Sequence, residues 1–417
     1  GHKRQFHPFF DPYTMDITEI YGFDNLHHAE GILLKAQQRA AALYHASETF
    51  YLVNGSTCGI LAAVAAATKR GGKLLMARNC HKAAYHAALL NNLEVSYLYP
   101  AADMTRGLSG AIAPDEVERM LKKDASLRTV LITSPTYDGV CSDVRRIAEI
   151  VHQYDGILIV DEAHGAHFGM HPYFPEHALT CGADLVINSV HKTLPSLTQT
   201  ALLHVQGMRV NREWLKRFLG MYQTSSPSYV LMAGIDACVR MLLEHGPELF
   251  DTFTKRLEGL RKQLQSMHAL ELVRGTEPEL GAYDYDRSKI LVATHRSGIA
   301  GPELSGMLRS RYQLEMEMDS EHYVTAITTV ADTKEGLQRL AEALAAIDSE
   351  LECRIGKPAR PFAAWKNEAV LRIGEAAEAG KKSMLLARSE GSISAEFVYL
   401  YPPGIPLLVP GERISGE

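Results

Sequence analysis

Seven short apolar runs give the first half of the chain its rhythm: Thr49–Val53, Lys73–Ala77, Val95–Leu98, Thr129–Thr133, Ile157–Val160, Asp184–Asn188 and Ala201–Val205. Amphipathic stretches such as Asp143–Gln153 lie between most of them. Near-continuous β-branched runs separated by helices predict a seven-stranded, mostly parallel sheet with both faces covered. The last two runs are joined by a connection too short for a helical crossover, so one strand there is expected to run antiparallel.

On either side of these runs the pattern changes. Residues 1–28 show no period and read as an irregular arm, with a helix from Ala29 to about Tyr44. Ser228–Ser266 reads as two long helices broken near Gly246-Pro247, because proline removes a helical N–H and clashes with the preceding turn. Strand Lys289–Thr294, helix Pro302–Tyr312, strands Leu314–Met318 and Tyr323–Thr329 and helix Lys334–Ile347 follow as a compact α+β unit. The tail carries a helix over Ala363–Leu371 and a Pro/Gly-rich segment, Tyr401–Glu412. The expected organisation is an arm (1–28), a large α/β domain (29–285) and a small C-terminal α+β domain (286–417).

Composition narrows the function. The 417 residues are 46% hydrophobic and 22% charged, with a net charge of −6. That is ordinary for a globular protein and lacks the basic excess that phosphate neutralisation requires, which argues against nucleic acid. No apolar run is long enough to span a membrane. Six scattered cysteines without a Cys-x-x-Cys pair read as reduced thiols of a cytoplasmic protein.

Four segments carry chemistry, each at the end of an expected strand. Asn54-Gly55-Ser56-Thr57-Cys58-Gly59 is a glycine-flanked turn into a helix starting near Cys58. It aims backbone N–H groups and the Ser56 and Thr57 hydroxyls at one spot, which suits a phosphate. An ordinary helix cap would look the same locally. His81, after the run Lys73–Ala77, could stack on a flat ring or move a proton. Asp161 ends the run Ile157–Val160, where open α/β sheets place ligands, and a carboxylate there can keep a pyridine nitrogen protonated. Lys192 lies 31 residues further on, between hydroxyls and His191. That setting suits an activated amine, with Ser189 and His191 as further phosphate ligands. Phosphate turn, ring partner, electron-sink carboxylate and amine is the order that pyridoxal 5′-phosphate (PLP) needs on this architecture.

Rival readings are weaker. Asp161-Glu162-Ala163-His164 also spells the magnesium strand of helicase-type NTPases, but no Gly-x4-Gly-Lys-Ser/Thr loop precedes it. His164, His167 and His171 invite a metal, yet Gly165, Gly169 and Pro172 break the helix that would align them. No metal is expected. No arginine can be assigned to a substrate α-carboxylate, as transamination usually requires.

The chain resembles the ornithine/lysine/arginine decarboxylases, PLP enzymes with the aspartate-aminotransferase-like fold (fold type I). The resemblance rests on Asp16-Ile-Thr-Glu19, Phe23-Asp-Asn-Leu-His27, Val53-Asn-Gly-Ser-Thr57, Arg78-Asn-Cys-His-Lys82, Ser134-Pro-Thr-Tyr-Asp-Gly139, Val160-Asp-Glu-Ala-His-Gly-Ala-His167, Ser189-Val-His-Lys-Thr-Leu-Pro195, Ser226-Pro-Ser-Tyr229 and Tyr401-Pro-Pro-Gly-Ile-Pro406. It implies that Lys192 is the Schiff-base lysine, Asp161 the partner of the ring nitrogen and His81 the stacking residue, with Ala163 also at the ring. Ser56, Thr57, Ser189 and His191 would hold the phosphate. Thr224 and Ser226 would reach the phosphate of a neighbouring subunit, so a homodimer or higher homo-oligomer is implied. The start at Gly1-His2-Lys3 matches the beginning of the catalytic core, as in the short members without an N-terminal wing domain. The expected reaction is decarboxylation of a basic amino acid, arginine before lysine or ornithine. Asp16, Glu19 and Asp24 in the arm are candidate partners for its cationic side chain.

Overall fold

The structure, a computed structural model, describes residues 11–354, 361 and 365–415. Every expected run of the first half is a strand: β1 (Glu48–Leu52), β2 (Lys73–Ala77), β3 (Glu94–Leu98), β4 (Thr129–Thr133), β5 (Ile157–Asp161), β6 (Leu185–Asn188) and β7 (Ala201–Val205). They form one sheet in the order β1-β7-β6-β5-β4-β2-β3. β7 is antiparallel to both neighbours, and all other pairs are parallel. Leu158, Ile159 and Val160 are completely buried, as are Leu185, Val186 and Ile187. Burial on both faces explains why these strands read as unbroken apolar runs.

Helix Tyr229–Leu264 corrects the expected break. It is one helix of 36 residues with Pro247 inside it. Val239 and Leu242 before the proline, and Phe250, Phe253 and Leu257 after it, are all buried on the same core. That continuous stripe outweighs a penalty of about 3 kcal/mol for the internal proline.

The second unit is built on an antiparallel sheet of Glu271–Leu272, Lys289–Ala293, Tyr323–Ile327 and Met318–Ser320, in that order. Its first strand lies ahead of residue 286 in the chain. The strand expected over Leu314–Met318 begins its ladder only at Met318. Of the helix expected over Ala363–Leu371, residues 363 and 364 lie outside the described residues, and 365–371 are not helical. The N–H groups of Val370 and Leu371 both donate to the Gly411 carbonyl, at 2.8 and 3.2 Å, and the helix comes later, at Ile373–Glu378. Pairing with the distant tail takes the backbone groups that a local helix would use. Among the described residues, no helix is long and apolar enough to cross a membrane.

Candidate active site

The carboxyl ends of the parallel strands open into a partly enclosed cleft of about 500 Å³. Ser56, His81, Asp161, Ala163 and Lys192 line it, together with Tyr137, His164 and the tail residues Pro403 and Ile405.

The glycine turn after β1 begins its helix earlier than expected, at Gly55. Asn54, the N-cap, makes no side-chain bond to the first turn and instead accepts the Thr224 N–H at 3.2 Å. The first-turn N–H groups are therefore left without the usual side-chain cap, at the positive end of a 13-residue helix. Ser56 Oγ lies 3.0 Å from Ser189 Oγ, so hydroxyls from two strand ends converge beside that terminus. His191 sits one helical turn beyond β6, and its Nδ1–H donates to the Thr200 carbonyl at 2.9 Å. Uncapped amides and paired hydroxyls form a donor set that fits a phosphate dianion, and His191, with Nδ1–H committed to Thr200, adds a donor at Nε2 as the imidazolium.

His81 is the N-cap of helix Lys82–Leu90. Its Nδ1 accepts the Ala83 N–H at 3.2 Å, which leaves the neutral ring's proton on Nε2. Burial, reinforced by the charges of Lys192 and Lys82, pushes its pKa down to about 4. The ring is therefore neutral at working pH and suited to lie against a flat heterocycle. The tail packs against it: a Cβ on Gly404, whose φ is +77°, would come within 3.1 Å of His81 Cδ2. Because the unfolded chain protonates His81 near 6.5 and the folded one near 4, the folded state binds fewer protons between these values. Stability contributed by the neutral ring is thus complete above about pH 6.5 and lost as pH falls toward 4. Thermal unfolding of the cofactor-free protein should show this decline, and His81→Phe should flatten it. An equally steep decline in the variant would count against His81 as its source.

Asp161 is buried at the end of β5, level with Thr133 on β4 and Ile187 on β6. Its Oδ1 accepts the Ala163 N–H at 3.2 Å. Burial raises its pKa, opposed by Lys192 and by that N–H. A buried carboxylate with so little compensation fits a cationic ring nitrogen as its partner. Glu162 faces away, bound by His177 Nε2 at 2.8 Å, Asn188 Nδ2 at 3.1 Å and the Ala178 N–H at 2.9 Å. That buried cluster fixes the strand end from behind.

Lys192 lies in the single helical turn Val190–Thr193 between β6 and β7. Burial lowers its pKa, with Asp161 and Glu317 opposing. Its Nζ is 2.9 Å from His164 Nε2, and on the far side of that ring His164 Nδ1 is 3.0 Å from Lys289 Nζ. Neither Lys289 nor Glu317 was singled out in the sequence. Both come from the second unit, and nothing in their local pattern marks them. Glu317 accepts the Tyr137 hydroxyl at 2.9 Å, and the Tyr137 ring lies 4.6 Å from that of His164.

The remaining candidates do not line the cleft of this chain. Asp24 receives the N–H groups of Asn25, Glu30, Gly31 and Leu33 at 2.8–3.1 Å. It caps the helix Ile32–Leu43, so its carboxylate is committed to the backbone. Asp16 is exposed and Glu19 accepts the Thr18 hydroxyl, both in the arm. Thr224 and Ser226 are exposed on the loop before helix Tyr229–Leu264, where the Thr224 hydroxyl accepts the Ser226 N–H at 3.3 Å. The three histidines considered for a metal diverge: His164 meets two lysines, His167 meets Asp286 at 3.1 Å and His171 meets Asp251 at 3.1 Å.

A mostly parallel seven-stranded sheet with this cleft at its carboxyl edge defines a fold-type-I architecture, that of PLP enzymes. The chain belongs to the ornithine/lysine/arginine decarboxylases and is an amino-acid decarboxylase. The family model for the Orn/Lys/Arg decarboxylase major domain matches residues 1–283, and that for the family's C-terminal domain matches 371–417. An arginine decarboxylase of Bacillus subtilis is 31% identical over 414 residues, covering 97% of this chain and 83% of that protein. One of Bacillus anthracis is 30% identical over 410 residues, covering 97% and 83%. In fold, the lysine decarboxylase A of Pseudomonas aeruginosa superposes with a TM-score of 0.79 at 20% identity, covering 96% of this chain and 67% of that one.

Proposed function

We infer that this chain carries PLP on Lys192 and decarboxylates L-arginine in the cytoplasm, as a homodimer or larger homo-oligomer. The observation that carries the reading is the Lys192 amine, held in a cleft with a buried carboxylate, a neutral imidazole and an uncapped helix N-terminus. When bound, the cofactor supplies an electron sink for the pair left behind by departing CO2. Asp161 keeps the ring nitrogen protonated. His81 and Ala163 confine the ring plane, and Ser56, Thr57, Ser189 and His191 hold the phosphate. Lys192 would hold the cofactor as its amine anchor and, as a free ammonium, would return a proton to Cα. Pro403 and Ile405 narrow the cleft against water. Thr224 and Ser226, which face outward in one chain, serve the phosphate of the neighbouring subunit.

Arginine is favoured by the Bacillus relatives, which match over nearly the whole chain and bear that name. Lysine and ornithine are the alternatives. The experiment is a panel of the three amino acids assayed for CO2 and for agmatine, cadaverine and putrescine. Equal or greater turnover on lysine would overturn the arginine assignment.

Glu317, rather than the arm carboxylates, is the better partner for the cationic side chain. It belongs to the same cluster as Lys192 and is oriented by Tyr137. A charge-assisted pair exceeds a neutral hydrogen bond, so Glu317→Gln should raise KM for arginine by about tenfold or more with a smaller change in kcat. An unchanged KM would return the role to the arm.

A further inference from the structure

Two lysines facing the two nitrogens of one imidazole is an arrangement that cofactor binding does not explain. Lys289 begins the strand Lys289–Ala293 and is completely buried. Its stem lies against Gly139, the last residue of the Ser134–Gly139 motif, where a Cβ would meet Lys289 Cγ at 2.9 Å. The φ of +98° at Gly139 also disfavours any side chain there. The charged groups acting on Lys289 are Asp286, Glu317, Lys192 and Asp138. Those acting on His164 are Lys192, Lys289, His81 and His191, and those on Lys192 are Asp161 and Glu317.

The geometry constrains the protons. A neutral imidazole has one N–H and one lone pair, and an ammonium group only donates. If Lys192 and Lys289 were both ammonium, both nitrogens of His164 would have to accept, which a neutral ring cannot do. One amine must therefore be neutral and accept the ring N–H. Burial drives all three groups the same way, His164 well below its usual value and Lys289 down to about 8. With a neutral ring and one ammonium, two arrangements satisfy both contacts. In one, Lys289 is ammonium and donates to Nδ1, while Nε2–H donates to the Lys192 amine. In the other, Lys192 is ammonium and donates to Nε2, while Nδ1–H donates to Lys289. They interconvert by moving one proton across each hydrogen bond: Lys289 N–H and His164 Nε2–H break while His164 Nδ1–H and Lys192 N–H form. The ring is neutral at both ends of the process and one positive charge passes between the two Nζ atoms.

Decarboxylation needs such a supply. Replacing the Cα–carboxylate bond by Cα–H consumes one proton per turnover, and a buried amine that gives it must be recharged inside a small cleft. We propose that Lys289 and His164 are positioning residues forming a proton relay that recharges Lys192 Nζ from the side of Glu317, which is exposed to solvent. The relay rests on the reading of Lys192 as the cofactor lysine.

The test uses the full chain. Without cofactor, acylation of Lys192 is followed across pH by peptide mass spectrometry. Wild-type protein should label with a midpoint below the ordinary lysine value of 10.5, and His164→Gln should move it although both lysines remain. Gln can hydrogen-bond both amines but does not pass a proton along its amide. With PLP added, His164→Gln and Lys289→Met should load cofactor, keep KM within about threefold and lose about 10- to 100-fold in kcat, the range of a lost proton transfer. Their kcat–pH profiles should change shape. A wild-type Lys192 midpoint at 10.5 would overturn the relay without reference to any variant. So would a normal kcat and pH profile in His164→Gln. Failure of the underlying reading looks different: no visible absorbance on adding PLP, and no amine produced by the wild type.

Discussion

Lys192→Ala is expected to abolish turnover and the visible absorbance of bound cofactor while leaving the chain folded. The loss should be at least ~10⁴-fold, because the variant lacks both the amine that anchors the cofactor and the group that returns the proton. Stability should change little. Lys192 lines a cleft rather than filling the core, and burial already disfavours its charged form, so the substitution removes a desolvated amine that contributes little to folding. His164 keeps Lys289 as a partner at 3.0 Å. Unfolding midpoints within about 1 kcal/mol of wild type would fit this account. Normal amine production by the variant would sink the assignment of Lys192.

Arg78→Ala is expected to be the most destabilising single change near the site. Arg78 is completely buried at the end of β2. Its Nη1 donates to the Pro406 carbonyl at 2.5 Å and to the Tyr85 hydroxyl at 2.8 Å, and its Nη2 to the Leu407 carbonyl at 3.0 Å. The same Nη2 lies 3.5 Å from Glu412 Oε2, also buried, and the guanidinium sits over the rings of Tyr85 and Tyr97 at 5.6 and 5.4 Å. Removing one partner of a buried ion pair typically costs about 3–5 kcal/mol, and here Glu412 would keep only Asn367 Nδ2 and the Val409 N–H, at 2.9 and 3.1 Å. The Pro406 carbonyl loses the Arg78 donor as well, whereas that of Leu407 keeps Asn367 Nδ2 at 2.9 Å. Denaturant unfolding should report that loss. Because Pro403 and Ile405 of the same tail line the cleft, KM for substrate should rise in the surviving folded protein. A stability change below about 1 kcal/mol would show that the tail is held by other contacts.

The four chemical segments were legible in the sequence because each is local. A buried strand produces an apolar run, and the residue just after it reaches the carboxyl edge of the sheet. Asp161 and the turn before Ser56 were placed by that rule, and the short Lys192 connection correctly implied the reversed β7. Pro247 misled because local propensity favours a break, whereas the long helix is held by buried residues on both sides of it. Asp24 shows the opposite case: a carboxylate open to many roles in the sequence proves to be the cap of the next helix.

The sequence by itself determined the parallel sheet, which residues stand at its strand ends and the family, since all three rest on patterns a few residues wide. Only the tertiary structure decided what surrounds Lys192. His164 and Lys289 are 125 residues apart, and Arg78 and Glu412 are 334 apart, and neither pairing leaves any trace in the local pattern. Those contacts exist because the second unit and the tail close over the strand ends, where burial turns ordinary lysines, histidines and carboxylates into groups whose protons and charges depend on one another.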